Sequence, residues 1–328
     1  MPETIALIGG ETLLGKEIRE VLAASELGDR VRLVASADEE SGTLTEMDGA
    51  AAFLAKLDPE DIGDARVLIL AGTLEASKTA LAATPSGVVV DLTWATEDDP
   101  DARIRAPQME AADYDGDRTG PQIVAHPAAV AIALVLRQLN RNFPITRVIV
   151  HIFEPASERG TPGIDELQQQ TVNLLSFQPM PKKVFDVQLA YALLAQFGDE
   201  APTRLADVED RIERHLASLL ERMGGPPMPS LRLIQAPVFH GYTFSFWIEF
   251  EDAPAAPDLE DAFSNEPFDL RSADLEPPNN VGIAGQSGVA VGAIAPDRNN
   301  GSAFWIWAAT DNLRLAAETA ALIAAEAM

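Results

Sequence analysis

The chain has 328 residues, 47% of them hydrophobic, and a net charge of −27 from 51 acidic against 24 basic side chains. The length suits two domains with sizeable cores, and the acidity excludes nucleic-acid binding through a general electrostatic footprint. There is no cysteine, which excludes disulfides, thiolate metal sites and thiol catalysis. The four histidines, His126, His151, His215 and His240, show no metal-ligand spacing, so no metal is expected. Apolar runs fall short of the ~18 residues a membrane span needs. The start at Met1–Ile5 lacks a basic leader, so a cytoplasmic protein is expected.

In chain order, residues 4–8 read as a strand that ends in Gly9-Gly10. Leu13, Leu14, Ile18, Val21 and Leu22 then paint one helix face. Residues 31–35, 67–70 and 88–92 read as further strands, the last a β-branched run of the kind buried on both faces. Residues 76–83 read as a helix between them. Strands alternating with helices predict βαβ units and a parallel sheet, hence a Rossmann-like half.

The second half reads as α+β. Helices are predicted over 128–139, from Pro162 to about Phe177, over 189–197 and over 208–221. A strand is predicted over 148–153, and strands of antiparallel type over 231–238, 243–250, 289–294 and 302–308. A turn is expected over 224–229, and Pro-rich loops over 252–258 and 276–280. The Ala-rich tail 312–327 predicts a closing helix. Domain boundaries follow: 1–127 with 305–328 as the Rossmann-like domain, and 128–304 as the α+β domain, with the last helix returning to the first.

Residues 123–131 read IVAHPAAVA, and the stretch resembles the nucleophile loop V-A-N-P-N-C-S-T of aspartate-semialdehyde dehydrogenases. Other segments resemble that family in order along the whole chain. Gly9-Gly10-Glu11-Thr12-Leu13-Leu14-Gly15 stands for G-A-T-G-x-V-G, Leu70-Ala71-Gly72-Thr73 for S-A-G-G, and Val88-Val89-Val90-Asp91-Leu92-Thr93-Trp94 for V-V-I-D-N-S-S. Residues 152–160 (IFEPASERG) stand for T-Y-Q-A-V-S-G-A-G, residues 163–167 (GIDEL) for G-M-D-E-L, and residues 307–317 (WAATDNLRLAA) for W-x-x-x-D-N-L-R-x-G-A.

The resemblance implies an NAD(P)-binding Rossmann domain, an α+β domain through which two copies dimerise, and covalent chemistry on a thiolate assisted by Gln, Arg and His. This sequence departs from it at each of those residues. Ala129 stands for the Cys, Glu154 for the Gln, Gln235 for the Arg and Tyr242 for the His. A methyl group forms no thiohemiacetal, and Gln235 lacks the bidentate fork that holds a carboxylate. His126, in place of the loop Asn, is a candidate substitute base. So is His240, which in a strand shares a face with Tyr242. Alternatively, His126 is held by backbone hydrogen bonds, and Glu154 with Tyr242 simply fills the vacated site. Arg211, Arg214 and His215 are candidates for the basic substrate contact that the family keeps on a helix.

The cofactor turn departs as well. The implied contacts are Gly9, Glu11, Thr12, Leu13, Leu14, Asp38, Ala71 and Gly72. Thr12 replaces the middle glycine of a turn where bare backbone approaches the pyrophosphate, and Glu11 adds adverse charge. Asp38 stands near the family's Arg for the 2′-phosphate of NADP. A carboxylate there favours NAD over NADP, and an empty groove is the competing expectation.

The reading is a degenerate, cysteine-less branch: a homodimeric pseudoenzyme with a binding or regulatory role, possible heteromeric partners and no membrane contact. The alternative is an NAD-dependent oxidoreductase or another enzyme with remodelled chemistry at His126, Glu154 and Tyr242.

Overall fold

Short apolar strands, each followed by a connection that crosses back, assemble the first half of the chain into one sheet. The structure, a computed structural model, describes residues 4–47, 49–58, 62–83, 85–110, 120–221, 225–272 and 274–328. Met1 to Glu3 and Gly224, which opens the expected 224–229 turn, lie outside them. The chain forms two compact units, Met1–Ala125 with Ala316–Met328, and His126–Leu315.

Among the described residues the first unit holds eight strands: β1 (Ile5–Ile8), β2 (Val31–Val34), β3 (Thr43–Met47), β4 (Ala50–Ala55), β5 (Val67–Leu70), β6 (Val88–Asp91), β7 (Arg103–Arg105) and β8 (Gln122–Val124). Their order is β3-β4-β2-β1-β5-β6-β8-β7, parallel throughout except for the β3/β4 hairpin. That hairpin, β7 and β8 were not anticipated. They are short or carry exposed residues, so they lack the apolar signature of the central strands. Helix α1 (Leu13–Ala23) starts where Thr12, in extended backbone, caps it by accepting from the Gly15 N–H at 2.9 Å. One face of the sheet buries Ile5 and Leu7 against Ile18 and Leu22 of α1, and against Ala317, Ala320 and Ile323 of the closing helix. The other face buries Ala6, Ile8, Leu68 and Leu70 against Ala76 and Ala80 of α2 (Leu74–Ala82). Burial on both faces explains the unbroken apolar strands.

The second unit begins with α3 (Pro127–Asn140), buried on nearly every side, and β9 (Ile145–Glu154). It continues through α4 (Gly160–Leu175), α5 (Leu205–Glu221), β10 (Ser230–Gln235), β11 (Tyr242–Phe250), α6 (Ala256–Ala262), β12 (Phe268–Arg271), β13 (Val289–Pro296) and β14 (Ala303–Thr310), to α7 (Asn312–Ala327). The sheet order is β10-β9-β11-β14-β13-β12. The chain leaves this unit only after Leu315, because residues 305–310, grouped with the first domain in the sequence reading, are the body of β14.

Three expectations change. Residues 189–197 are not a helix: Gln170 Oε1 accepts from the Leu189 and Ala190 N–H groups (2.7 and 3.1 Å), and Leu194 bridges to Gln235. Strand β10 pairs with β9 in parallel rather than antiparallel; the helical crossover through α4 and α5 permits that. Residues 256–258, expected as loop, open α6, with Pro257 near the start, where its missing N–H costs nothing.

Candidate functional site

Strand alternation sets the site in the second unit. On β9 the inward residues are Val148, Val150, Ile152 and Glu154, and on β11 they are Tyr242, Phe244, Phe246 and Ile248. The register Thr243 to Phe153 places Glu154 and Tyr242 at the same end of this apolar face. A carboxylate in such surroundings needs a partner, and Arg159, five residues on, pairs with it through its guanidinium. Burial pushes the Glu154 pKa up, with Arg159 opposing.

Glu158 completes the cluster. Its Oε1 accepts from Asn312 Nδ2 at 2.8 Å, and Asn312 Nδ2 also reaches Ser157 Oγ at 3.0 Å. Burial first, then the Glu154 charge, push the Glu158 pKa up to about 7 against the pull of Arg159, Asn312 and Tyr242. Tyr242 is fully buried, and burial with the two carboxylates holds its phenol well above its ordinary range. Its hydroxyl stands beside Glu158 without a well-formed hydrogen bond. His126 caps α3, its Nδ1 accepting from Ala128 N–H at 3.3 Å. Its Nε2 is 3.9 Å from Glu158 Oε2, and its ring lies 6.0 Å from that of Tyr242. Ala129, in the first turn of α3, is fully buried and supplies no nucleophile.

His126, Glu154 and Tyr242 therefore come together, but with Glu158 and Arg159, which sequence reasoning missed. The signal was present: two charged residues stand where the quoted S-G-A-G motif has two small ones. Gln235 serves the backbone, its Nε2 donating to the Glu154 carbonyl at 2.8 Å and to that of Ala236 at 3.2 Å. His240 does not share a strand face with Tyr242: β11 starts at Tyr242, and Gly241 (φ 80°) turns the chain between them. His215 is buried, its Nδ1 accepting from the His126 N–H at 2.9 Å. Arg211 and Arg214 lie instead around a surface depression with Asp207, Asp210 and Glu213. Among the described residues no group of three or more His, Asp or Glu side chains is arranged to hold a metal, and no helix is long and apolar enough to cross a membrane.

In the first unit the Gly9–Gly15 turn is closely packed. Gly9 has φ 87°, and a Cβ there would lie 2.5 Å from the Gly72 backbone. Thr12 Oγ1 lies 2.9 Å from both the Gly9 and Ala71 carbonyls. The Glu11 carboxylate is held by Arg19, by Lys16 at 3.2 Å and by Thr45 at 2.6 Å. Leu13 and Leu14 open α1 half-buried. Asp38 is exposed, and the carboxylate that turns inward is that of its neighbour Glu39. Glu39 Oε1 accepts from the Glu11 N–H at 2.7 Å, and its Oε2 accepts from the Ser36 N–H at 2.6 Å. A dinucleotide's phosphates need such amides free and favourable charge around them. Here the Glu11, Ser36 and Gly15 amides are taken and three carboxylates, Glu11, Asp38 and Glu39, stand nearby, so this charge and donor set does not fit NAD or NADP.

Residues 136–315, more than half of the chain, match the family described as semialdehyde dehydrogenase, dimerisation domain. The chain belongs to the semialdehyde dehydrogenase family. It is similar to an aspartate-semialdehyde dehydrogenase of Rickettsia bellii, at 24% identity over 94% of this chain and 93% of that one. It is 27% identical to the USG-1 protein homolog of Pseudomonas aeruginosa, over 99% and 97% of the two chains. The solved structure of a probable aspartate-semialdehyde dehydrogenase from Pseudomonas aeruginosa shares the fold, with a TM-score of 0.85 at 23% identity over 99% of this chain and 98% of that one. A Rossmann-like domain with an α+β dimerisation domain is thus the architecture.

Proposed function

We propose that this chain is a catalytically silent member of the semialdehyde dehydrogenase family, a homodimeric scaffold with a binding or regulatory role. One observation carries the reading: the nucleophile position holds the buried Ala129, and the buried Glu154 carboxylate is matched by a guanidinium from its own chain, Arg159. Without a nucleophile, the histidine and tyrosine nearby have nothing to activate. Dimerisation has support in the outward face of the second sheet. There Ile149, Trp247 and Trp305 stand in one cross-strand row, with Ile149 and Trp305 exposed.

The test is a spectrophotometric assay with aspartate semialdehyde, phosphate, and NADP or NAD. No nicotinamide reduction above a heat-inactivated control is expected. Turnover that disappears in His126→Ala would overturn the reading.

A second reading, a different enzyme working through His126, Glu154 and Tyr242, has one observation in its favour. The Glu158 carboxyl beside them is held at about 7, where a general acid–base group works best. Turnover of any aldehyde or hydroxy acid that Glu158→Gln abolishes would select it.

A further inference from the structure

We propose that Glu39 is a built-in carboxylate that occupies the Glu11 amide of the Gly9–Gly15 turn and the Ser36 amide beyond β2, and so closes the turn to dinucleotides. In an open α/β sheet a dinucleotide lies across the carboxyl ends of the strands, its pyrophosphate on the first turn and its adenosine ribose at the end of the second strand. Glu39 spans those two places. One carboxylate oxygen takes the amide of Glu11, inside the turn, and the other takes the amide of Ser36, two residues beyond the end of β2. Both are short bonds to a charged acceptor, the strong kind of hydrogen bond.

The surroundings hold this closure in place. Ser36 Oγ accepts from the Thr73 N–H at 2.8 Å and lies 3.2 Å from Thr73 Oγ1. A Cβ on Gly72 would stand 2.7 Å from that same Ser36 oxygen, so the ends of β2 and β5 are already in contact. Thr12 Oγ1 takes the Gly15 amide, another donor of the turn. Lys16 and Arg19, the two cations on α1, are drawn to Glu11. A phosphate arriving here meets occupied amides at Glu11, Gly15 and Ser36, paired cations, and the carboxylates of Glu11, Asp38 and Glu39. Burial pushes the Glu39 pKa up, while the two amide bonds favour its charged form and pull against that rise. The inference is independent of the chemistry lost at Ala129, since it is read by binding and not by turnover.

The experiment titrates NADH and NADPH against the full chain by nicotinamide fluorescence and calorimetry, using wild type, Glu39→Ala, Glu39→Ser and Glu39→Gln. Wild type is expected to show no saturable binding up to millimolar nucleotide. The Ala and Ser variants are expected to bind at least one of the two nucleotides at least tenfold more tightly than wild type, and Gln, which keeps one acceptor but not the charge, to fall between. Circular dichroism and a melting curve establish which variants are folded, and any one folded variant suffices. Wild-type binding that Glu39→Ala weakens would overturn the proposal by making Glu39 a ligand contact. Folded variants that gain nothing would overturn it by showing that Glu39 is not what closes the groove.

Discussion

The Glu154 carboxylate, at the end of the buried face of β9, is paired with the Arg159 guanidinium five residues later. A buried pair adds little net stability, because desolvating both ions offsets their attraction, but breaking one half leaves an uncompensated charge. Arg159→Met is therefore expected to destabilise the protein by about 3–5 kcal/mol in urea denaturation. The double variant Glu154→Gln/Arg159→Met is expected to recover most of that loss. Equal costs for single and double variants would show that lost packing, and not the stranded carboxylate, sets the penalty.

Glu158 gives a pH dependence with a definite sign. Its carboxyl is raised in the folded state from an ordinary 4.5 to about 7. A raised acid contributes stability that is fully present below its unfolded pKa and is lost as pH rises through the folded one. The loss develops between about pH 4.5 and 7 and amounts to something on the order of 3 kcal/mol. Glu158→Gln removes the titration and keeps an acceptor for Asn312. It is expected to be more stable than wild type at pH 8, with the gap closing towards pH 5. A gap that stays constant across that range would show that Glu158 is ionised in the fold at both ends.

Arg105 tests the first unit in the same way. Its side chain is 1% exposed and held by Glu110, by Glu326 at 2.8 Å and by Gln122 at 2.8 Å. The acids outweigh burial and raise its pKa, so it stays charged. Arg105→Leu removes the guanidinium that faces Glu110, itself 6% exposed. A loss of about 3–5 kcal/mol by urea denaturation is expected, and a loss under 1 kcal/mol would contradict the paired-charge account.

The parts legible in the sequence were those with a strong local signal. The β-branched run Val88-Val89-Val90 announced a strand covered on both faces, and the alternation over 243–250 announced β11. What the sequence hid depends on long-range capture of backbone by side chains. Gln170 and Glu166 take the amides of residues 183–185, 189 and 190 and hold that segment irregular, although its apolar spacing reads as a helix. The same limit applied at the cofactor turn. Asp38 stood at the expected position, but which of three consecutive acids turns inward depends on the path of the loop, and it is Glu39. Glu158 and Arg159 were visible as residues; their convergence with Tyr242 and Asn312 was not, because it joins positions 84 and 154 apart in the chain.

The outward row Ile149–Trp247–Trp305 predicts the behaviour of the dimer. Trp247 and Trp305 both donate their indole N–H to Asp297 Oδ2, at 3.1 and 2.8 Å, which holds the two rings in place on the sheet. Large apolar side chains fixed in this way on an exposed sheet face are suited to covering by a partner. Trp305→Arg and Ile149→Arg leave the inward core of the sheet untouched. Each is expected to shift the protein from dimer to monomer at micromolar concentration in size exclusion with light scattering. A wild-type monomer, or a dimer indifferent to both changes, would move the interface to another surface.

Restoring the missing thiol is the remaining test, and its expected result is negative. Ala129→Cys returns a nucleophile to the first turn of α3, where the position is fully buried. The groups that would orient an intermediate are still changed. Gln235 is tied to the carbonyls of Glu154 and Ala236, Tyr242 stands among apolar residues and carboxylates, and the Glu154 carboxylate is paired with Arg159. Residues acting as a unit in catalysis are strongly non-additive, so one restored member gives no phosphate-dependent oxidation of aspartate semialdehyde above the wild-type background. Saturable turnover by Ala129→Cys alone would mean that the rest of the site is still competent, and that a single substitution silenced this chain.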